Sequence, residues 1–190
     1  MTTRSQPAAK HLTINGLRLR YLEWGRPDAL PVVCVHGYTS SAEAFNALAR
    51  RIQDRAHIIA MDVRGHGESA WSQEDAYQYA DQAGDLAALV DQLGIDRFVL
   101  IGTSMGGVIA MVYASQYADR LRGLVQEPIA IDQRSIGQRA EEIVREDFSE
   151  PLDVRCLYGS DVVLIEIEQR PQIRTVFDNH SDLDFLTITT

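Results

Sequence analysis

The stretch Phe98-Val99-Leu100-Ile101-Gly102-Thr103-Ser104-Met105-Gly106 joins a short apolar run to a Gly-x-Ser-x-Gly pattern. The run has the length of a buried β-strand, and helical spacing follows from Met105 to about Tyr117. A serine between a buried strand and a helix projects from a sharp turn, and the flanking glycines let neighbouring chain approach closely. This context favours Ser104 as a nucleophile over the alternative, an ordinary serine that caps a helix.

The same turn predicts a site that stabilises negative charge. Met105 opens the following helix, where backbone N–H groups carry positive partial charge and lack partners within the helix. A second donor is expected from His36-Gly37-Tyr38, the loop after the first buried run, because its glycine lets the backbone turn inward. We therefore predict an oxyanion hole formed by the backbone N–H groups of Tyr38 and Met105.

Apolar runs alternate with segments of helical period on either side of this turn. A first helix is expected to start at a capping box formed by Ser40 and Glu43, and a second to stop at Gly94. Repeated alternation of this kind predicts a mostly parallel central sheet with helices on both faces. Four runs are interpreted as its buried strands: 32–35, 58–61, 98–101 and 121–126.

The chain begins with a different pattern. Apolar and polar residues alternate over 11–14 and 17–23 around Asn15-Gly16, which predicts an antiparallel hairpin. With 190 residues and 45% hydrophobic composition, the chain is long enough for one sizeable core. We therefore expect a single α/β domain over residues 1–190 that opens with this hairpin.

The alternation of strands and helices breaks after Glu127. Residues 128–151 contain one amphipathic segment, 136–148, and are interpreted as a short cap-like insertion over one end of the sheet. An apolar run at 154–158 is expected to resume the sheet, and a final strand is predicted at 173–177.

A serine nucleophile needs a general base, and the chain has five histidines. His180 follows the last predicted strand in a polar loop at the productive end of the sheet and is the best candidate. His11 and His57 lie at the wrong end of the sheet, so structural or surface roles are expected for them. His36 and His66 lie in glycine-bearing loops, where imidazoles often bond the local backbone.

The base in turn needs a carboxylate that orients it. Asp161, in Tyr158-Gly159-Ser160-Asp161, directly follows a predicted buried strand, so its side chain could reach His180; an N-cap role is its structural alternative. Glu127, at the end of the preceding strand, is the competing acid. The remaining acids near His180 are interpreted as solvated loop charges: Asp178, Asp182 and Asp184.

Composition narrows the partners that the protein could have. A net charge of -9 and a pI near 5.0, without a basic run, argue against nucleic acid. We find neither a signal-peptide core nor eighteen consecutive apolar residues, and therefore expect a cytoplasmic protein with no membrane partner. Cys34 and Cys156 are expected to be reduced core residues, and neither a metal ion nor an organic cofactor is implied.

Three motifs together resemble the α/β-hydrolase superfamily over about residues 11 to 182: His36-Gly37, Asp62-Val63-Arg64-Gly65-His66-Gly67-Glu68-Ser69, and Gly102-Thr103-Ser104-Met105-Gly106-Gly107, followed by an acid and a histidine. The resemblance implies a catalytic triad of Ser104, Asp161 and His180, with oxyanion donors at Tyr38 and Met105. It also implies that the second motif is structural and shapes the entrance to the site.

By this resemblance the chain is a serine esterase, similar to carboxylesterases, that acts on a small-molecule ester or lactone through an acyl-enzyme. A lactonase or carbon–carbon bond hydrolase with the same triad is the first alternative, and a degenerate binding module without catalysis is the second. Epoxide hydrolases and dehalogenases of the family are disfavoured, because they need aspartate where Ser104 stands.

The chain departs from the family pattern near its end. Both the cap-like insertion and the spacing from Asp161 to His180 are shorter than usual, which predicts an open site. The terminal helix is reduced to 183–186 at most, so part of the sheet surface needs another cover. A homodimer interface is one hypothesis for that cover.

Overall fold

An eight-stranded sheet organises the part of the chain that the structure describes, residues 6–127, 158–159 and 162–165 of a computed structural model. The strands are Ala8–Ile14 (β1), Leu17–Gly25 (β2), Leu30–Val35 (β3), Ala56–Met61 (β4), Phe98–Thr103 (β5), Leu121–Glu127 (β6), Tyr158–Gly159 (β7) and Val162–Ile165 (β8). They lie in the order β1-β2-β4-β3-β5-β6-β8-β7. Strands β4, β3, β5 and β6 are mutually parallel and form the centre of the sheet.

The predicted hairpin at the start of the chain is confirmed. β1 pairs with β2 antiparallel, with Ile14 opposite Leu17, and the connecting residues Asn15 and Gly16 have φ values of 49° and 78°. Positive φ at both central residues is the conformation of a type I′ turn, which matches the twist of the two strands. β2 then pairs antiparallel with β4 and so attaches the hairpin to the central sheet.

Helices cover both faces of the sheet, as predicted. They are Asn46–Ile52 (α1), which follows a short 3-10 turn at Ala42–Phe45, Tyr79–Gln92 (α2) and Met105–Tyr117 (α3). Successive side chains of a strand point to opposite faces. Accordingly, Val33 of β3 packs in a core with α2 and α3, whereas Val32 packs in a second core with α1.

The capping box predicted at Ser40 and Glu43 is wrong. The first turn begins at Ala42 instead, and its N-cap, Ser41, makes no side-chain capping bond. The Glu43 carboxylate accepts hydrogen bonds from Arg20 Nη2 at 2.6 Å and from Ser41 Oγ at 2.7 Å. The hydrogen bond from the Arg20 guanidinium favours the ionised carboxylate and lowers the pKa of Glu43 to about 2.

Of the run 154–158 that is expected to resume the sheet, the structure describes residue 158, and residues 154–157 lie outside the described residues. Tyr158–Gly159 forms a two-residue strand that pairs antiparallel with β8, and β8 pairs antiparallel with β6. Only two residues connect β7 to β8, and a parallel pair needs a crossover of a dozen or more residues. The short connection therefore explains why β7 and β8 pair antiparallel. The insertion 128–151 and the strand expected at 173–177 lie outside the described residues.

Cys34 is a free thiol at the centre of β3 and is fully buried, and burial raises its pKa. Cys156 lies outside the described residues. Within the described ranges, no helix combines the length and the apolarity that crossing a lipid bilayer requires.

Candidate active site

Ser104 occupies the turn between β5 and α3 with φ of 52° and ψ of -115°. This is the mirror image of extended backbone, a region that glycine enters freely and other residues enter at a cost of about 1–3 kcal/mol. The Ser104 side chain makes no capping hydrogen bond to α3, although the residue stands at the N-cap position. The alternative of an ordinary capping serine therefore does not describe this residue.

Close backbone contacts hold the turn in this conformation. A Cβ atom on Gly102 would lie 2.4 Å from the carbonyl oxygen of Gly106, and one on Gly106 would lie 2.1 Å from the carbonyl oxygen of Val35. Real Cβ atoms do not approach backbone so closely, so both positions require glycine. The first turn of α3 is thereby seated directly on the ends of β5 and β3.

The loop after β3 lies against Ser104. A Cβ atom on Gly37 would be 3.4 Å from Ser104 Cβ and 3.9 Å from Ser104 Oγ. The Tyr38 side chain points away from the core, with 72% of its surface exposed. Neither Tyr38 N–H nor Met105 N–H has a hydrogen-bond partner among the described residues. The structure thus brings the two predicted oxyanion donors next to the predicted nucleophile.

His36 is fully buried, and both of its ring nitrogens are engaged. Nδ1 lies 2.7 Å from the carbonyl oxygen of Gly37, and Nε2 lies 3.1 Å from the backbone nitrogen of Val63. A carbonyl only accepts and an N–H only donates, so the neutral ring carries its proton on Nδ1. Burial also lowers the pKa of His36, and the ring is not the general base.

The other described histidines also have structural surroundings. His66 is half-buried, with Nδ1 3.2 Å from the carbonyl oxygen of Arg64 and its ring centroid 5.3 Å from that of His36. His57 lies in β4, near the opposite end of the sheet from Ser104, and its Nε2 is 2.6 Å from Glu23 Oε1. His11 lies in β1, remote from the turn at Ser104.

The loop after β4 is organised around Asp62, which is fully buried. Its carboxylate accepts hydrogen bonds from Arg20 Nη1 at 2.9 Å, from the N–H of Ala42 at 2.7 Å and from the N–H of Glu68 at 3.0 Å. Gly67 has φ of +54°, and a Cβ atom there would lie 2.2 Å from Asp62 Oδ2. Asp62 therefore fixes this loop, in agreement with the structural role expected for the motif.

A second buried ion pair supports the same loop from the side. Arg64 binds Asp85 of α2 through two hydrogen bonds of 2.7 Å, from Nε and from Nη2. Asn15, in the hairpin turn, donates to the same carboxylate at 2.9 Å. The hairpin, the loop and α2 are thereby joined at one point.

The predicted base and its predicted acid, His180 and Asp161, lie outside the described residues, as do the loop acids Asp178, Asp182 and Asp184. The competing acid, Glu127, is the last residue of β6, and its backbone pairs with Thr103, which directly precedes Ser104. The base and its acid therefore stay predictions.

Sequence reasoning placed His36 in a loop where imidazoles often bond the local backbone, and the contact of its ring with Gly37 matches this expectation. It did not identify Val63 as the second partner of the ring. The signal for the contact with Gly37 was a histidine directly before a glycine at the end of a buried strand, where a ring can reach the peptide that follows.

Replacing Ser104 by glycine should make the protein more stable than replacing it by alanine, by about 1 kcal/mol, since glycine adopts the observed φ without strain. Both variants lack the hydroxyl, so the comparison isolates the backbone. Urea unfolding followed by circular dichroism measures the difference. A glycine variant that is less stable than the alanine variant would show that the turn stores no strain.

Comparisons with known proteins agree with the fold. A family profile described as alpha/beta hydrolase fold matches residues 31–138. The chain is 32% identical over 163 residues to a Bacillus subtilis (strain 168) protein named as a 2-succinyl-6-hydroxy-2,4-cyclohexadiene-1-carboxylate synthase, covering 82% of this chain and 59% of that protein. It is 38% identical over 96 residues to the sn-1-specific diacylglycerol lipase of Mus musculus, covering 50% of this chain and 31% of the lipase.

Among solved structures, the chain is similar to epoxide hydrolase A from Mycobacterium thermoresistibile, with a TM-score of 0.61 and 26% identity. That match covers 72% of this chain and 45% of the epoxide hydrolase. In each of the three comparisons, the chain spans less than two thirds of the relative's length.

Proposed function

Because the chain belongs to the alpha/beta hydrolase family, we propose that it is a serine hydrolase that cleaves carboxylic esters. The observation that carries the proposal is the turn at Ser104. A half-buried serine is held at positive φ beside two backbone N–H groups that have no partner among the described residues. A nucleophile and donors for an oxyanion are the parts that acyl transfer requires.

In the proposed mechanism, His180 accepts the Ser104 proton while Oγ attacks the ester carbonyl carbon. The carbonyl π electrons move to oxygen, and the N–H groups of Tyr38 and Met105 stabilise the resulting oxyanion. Collapse expels the alcohol, which takes the proton from His180 and leaves an acyl-enzyme. Water, deprotonated by the same histidine, then releases the acid, while Asp161 orients the imidazole.

The residue type at position 104 supports an ester substrate over an epoxide. The structurally similar epoxide hydrolase shares the fold, but this chain carries serine where the epoxide hydrolases of the family need aspartate. Similarity to a diacylglycerol lipase adds support for an ester, although that match covers 50% of this chain.

A second candidate function is hydrolysis of a lactone or of a carbon–carbon bond, with Ser104 again as the nucleophile. The observation that favours it is the Bacillus subtilis relative, whose name describes a synthase and whose match covers 82% of this chain. The two candidates share the nucleophile and differ in the bond that is broken. Turnover of lactones or of dienoates without turnover of simple esters would select this second candidate.

Incubation with a fluorophosphonate probe should label the protein on Ser104, and the same protein should hydrolyse p-nitrophenyl acetate and butyrate with saturation. Mass spectrometry of the digested protein identifies the labelled residue, and the release of p-nitrophenolate measures hydrolysis. Heat-denatured protein is the control for chemical labelling. A folded protein that is neither labelled nor active would instead support a binding module without catalysis.

A further inference from the structure

The buried ring of His36 joins two loops at the carboxyl-terminal ends of β3 and β4. Its Nδ1–H donates to the carbonyl oxygen of Gly37, and its Nε2 accepts from the N–H of Val63. The Gly37 carbonyl accepts a second hydrogen bond from the N–H of Ser40, at 3.2 Å. The ring is fully buried, and its contact with Val63 is buried as well, whereas Gly37 is partly exposed.

The carbonyl of Gly37 and the N–H of Tyr38 belong to one peptide unit. That unit is planar and trans, so its C=O and N–H point in opposite directions. Whatever fixes the direction of the Gly37 carbonyl therefore also fixes the direction of the Tyr38 N–H. Gly37 itself lies against Ser104, with its missing Cβ position 3.4 Å from Ser104 Cβ.

We propose that His36 is a positioning residue for the oxyanion hole: its Nδ1–H bond to the Gly37 carbonyl aims the Tyr38 N–H at the substrate carbonyl bound over Ser104. The inference rests on the proposed function, because it assigns His36 a part in acyl transfer. Both ring nitrogens of His36 are engaged by backbone groups, so His36 acts through the peptide that follows it.

A second contact anchors the other end of this loop. Asp62 Oδ1 accepts the N–H of Ala42 at 2.7 Å, so the far end of the loop is tied to the residue before Val63. The loop from His36 to Ala42 is thus anchored at both ends to the end of β4. Between these two anchors, the orientation of the Gly37 peptide is set by the hydrogen bonds that its carbonyl accepts from His36 and from the Ser40 N–H.

Two amide substitutions separate the two contacts of the ring. In His36→Asn the side-chain NH₂ can occupy the place of Nδ1 and donate to Gly37, while the contact with Val63 is lost. In His36→Gln the side-chain oxygen can reach the place of Nε2 and accept from Val63, while the donor to Gly37 is lost. The proposal predicts that catalysis follows the contact with Gly37.

We expect His36→Gln to lower kcat for p-nitrophenyl acetate by about 10- to 100-fold, with KM within about threefold of wild type, because one oxyanion donor is misdirected. His36→Asn should retain several-fold more kcat than His36→Gln. Melting temperatures of both variants are measured alongside. The proposal is overturned if the two variants share one kcat, or if kcat simply follows stability.

A second measurement needs no variant. Long-range ¹H–¹⁵N correlation spectra of the wild type report the tautomer of each histidine, and the proposal requires His36 to carry its proton on Nδ1. A proton on Nε2 would overturn it. If His36 has the expected tautomer but the wild type shows no Ser104-dependent hydrolysis, the proposed function is wrong and the oxyanion role of His36 falls with it.

Discussion

Replacing Ser104 by alanine is expected to lower kcat for p-nitrophenyl esters by about 10³-fold or more. The hydroxyl is the atom that attacks, and no other described residue can take its place in the turn between β5 and α3. What remains should be the slow attack of water on a substrate held by the oxyanion donors. Initial rates over a range of ester concentrations measure kcat and KM separately.

Ser115→Ala is the matched control for this substitution. Ser115 lies on α3, the helix that follows the nucleophile, is exposed, and its hydroxyl donates to the carbonyl of Val112 at 2.7 Å. Its loss should leave kcat within about twofold of wild type, because surface substitutions of this kind have small effects. A Ser104→Ala protein that keeps its activity would assign the hydrolysis to another group and refute the proposed mechanism.

Asp62→Ala is expected to destabilise the protein by about 3 kcal/mol or more, the cost of leaving one partner of a buried ion pair uncompensated. Three hydrogen bonds to the carboxylate are lost together, from Arg20, Ala42 and Glu68. Glu43 still contacts Arg20 at 2.6 Å and relieves part of the loss. Equilibrium unfolding in urea measures the free energy of unfolding.

Asp28→Ala serves as the comparison, because it removes the same charge from an exposed pair. Asp28 Oδ1 lies 3.3 Å from Arg26 Nε, and both side chains are at least 70% exposed. Exposed pairs of this kind contribute about 0–1 kcal/mol. Equal losses in the two variants would mean that burial of Asp62 adds nothing to its contribution.

Much of the fold follows from local signals in the sequence. The alternation around Asn15-Gly16 specified the hairpin, and buried apolar runs located the four parallel strands within two residues at each end. The helix from Met105 to Tyr117 matches the prediction at both ends. These signals succeed because a strand buried on both faces needs a continuous apolar run, and glycines are required where backbones touch.

The predicted capping box failed because of a partner that is distant in the sequence. Glu43 lies three residues after Ser40, which is the spacing of a capping box, but its carboxylate binds Arg20 of β2 instead. The bond of His36 to Gly37 matches the expected contact with local backbone, whereas the bond to Val63 was not predicted, since Val63 reaches the ring only when β3 and β4 pair in parallel. Of the proposed site, the sequence predicted a turn at Ser104, which the structure contains, and proposed the N–H groups of Tyr38 and Met105 as donors, but it could not supply the orientation of the Gly37 peptide.

The tight seating of α3 on β3 and β5 has a consequence for a library of random substitutions. Selection for folding alone should keep glycine at positions 102 and 106, because any larger residue would collide with backbone there. The same selection should enrich glycine at position 104, whereas selection for turnover should retain serine. The residues tolerated at positions 102, 104 and 106 under the two selections would therefore distinguish what folding requires from what catalysis requires.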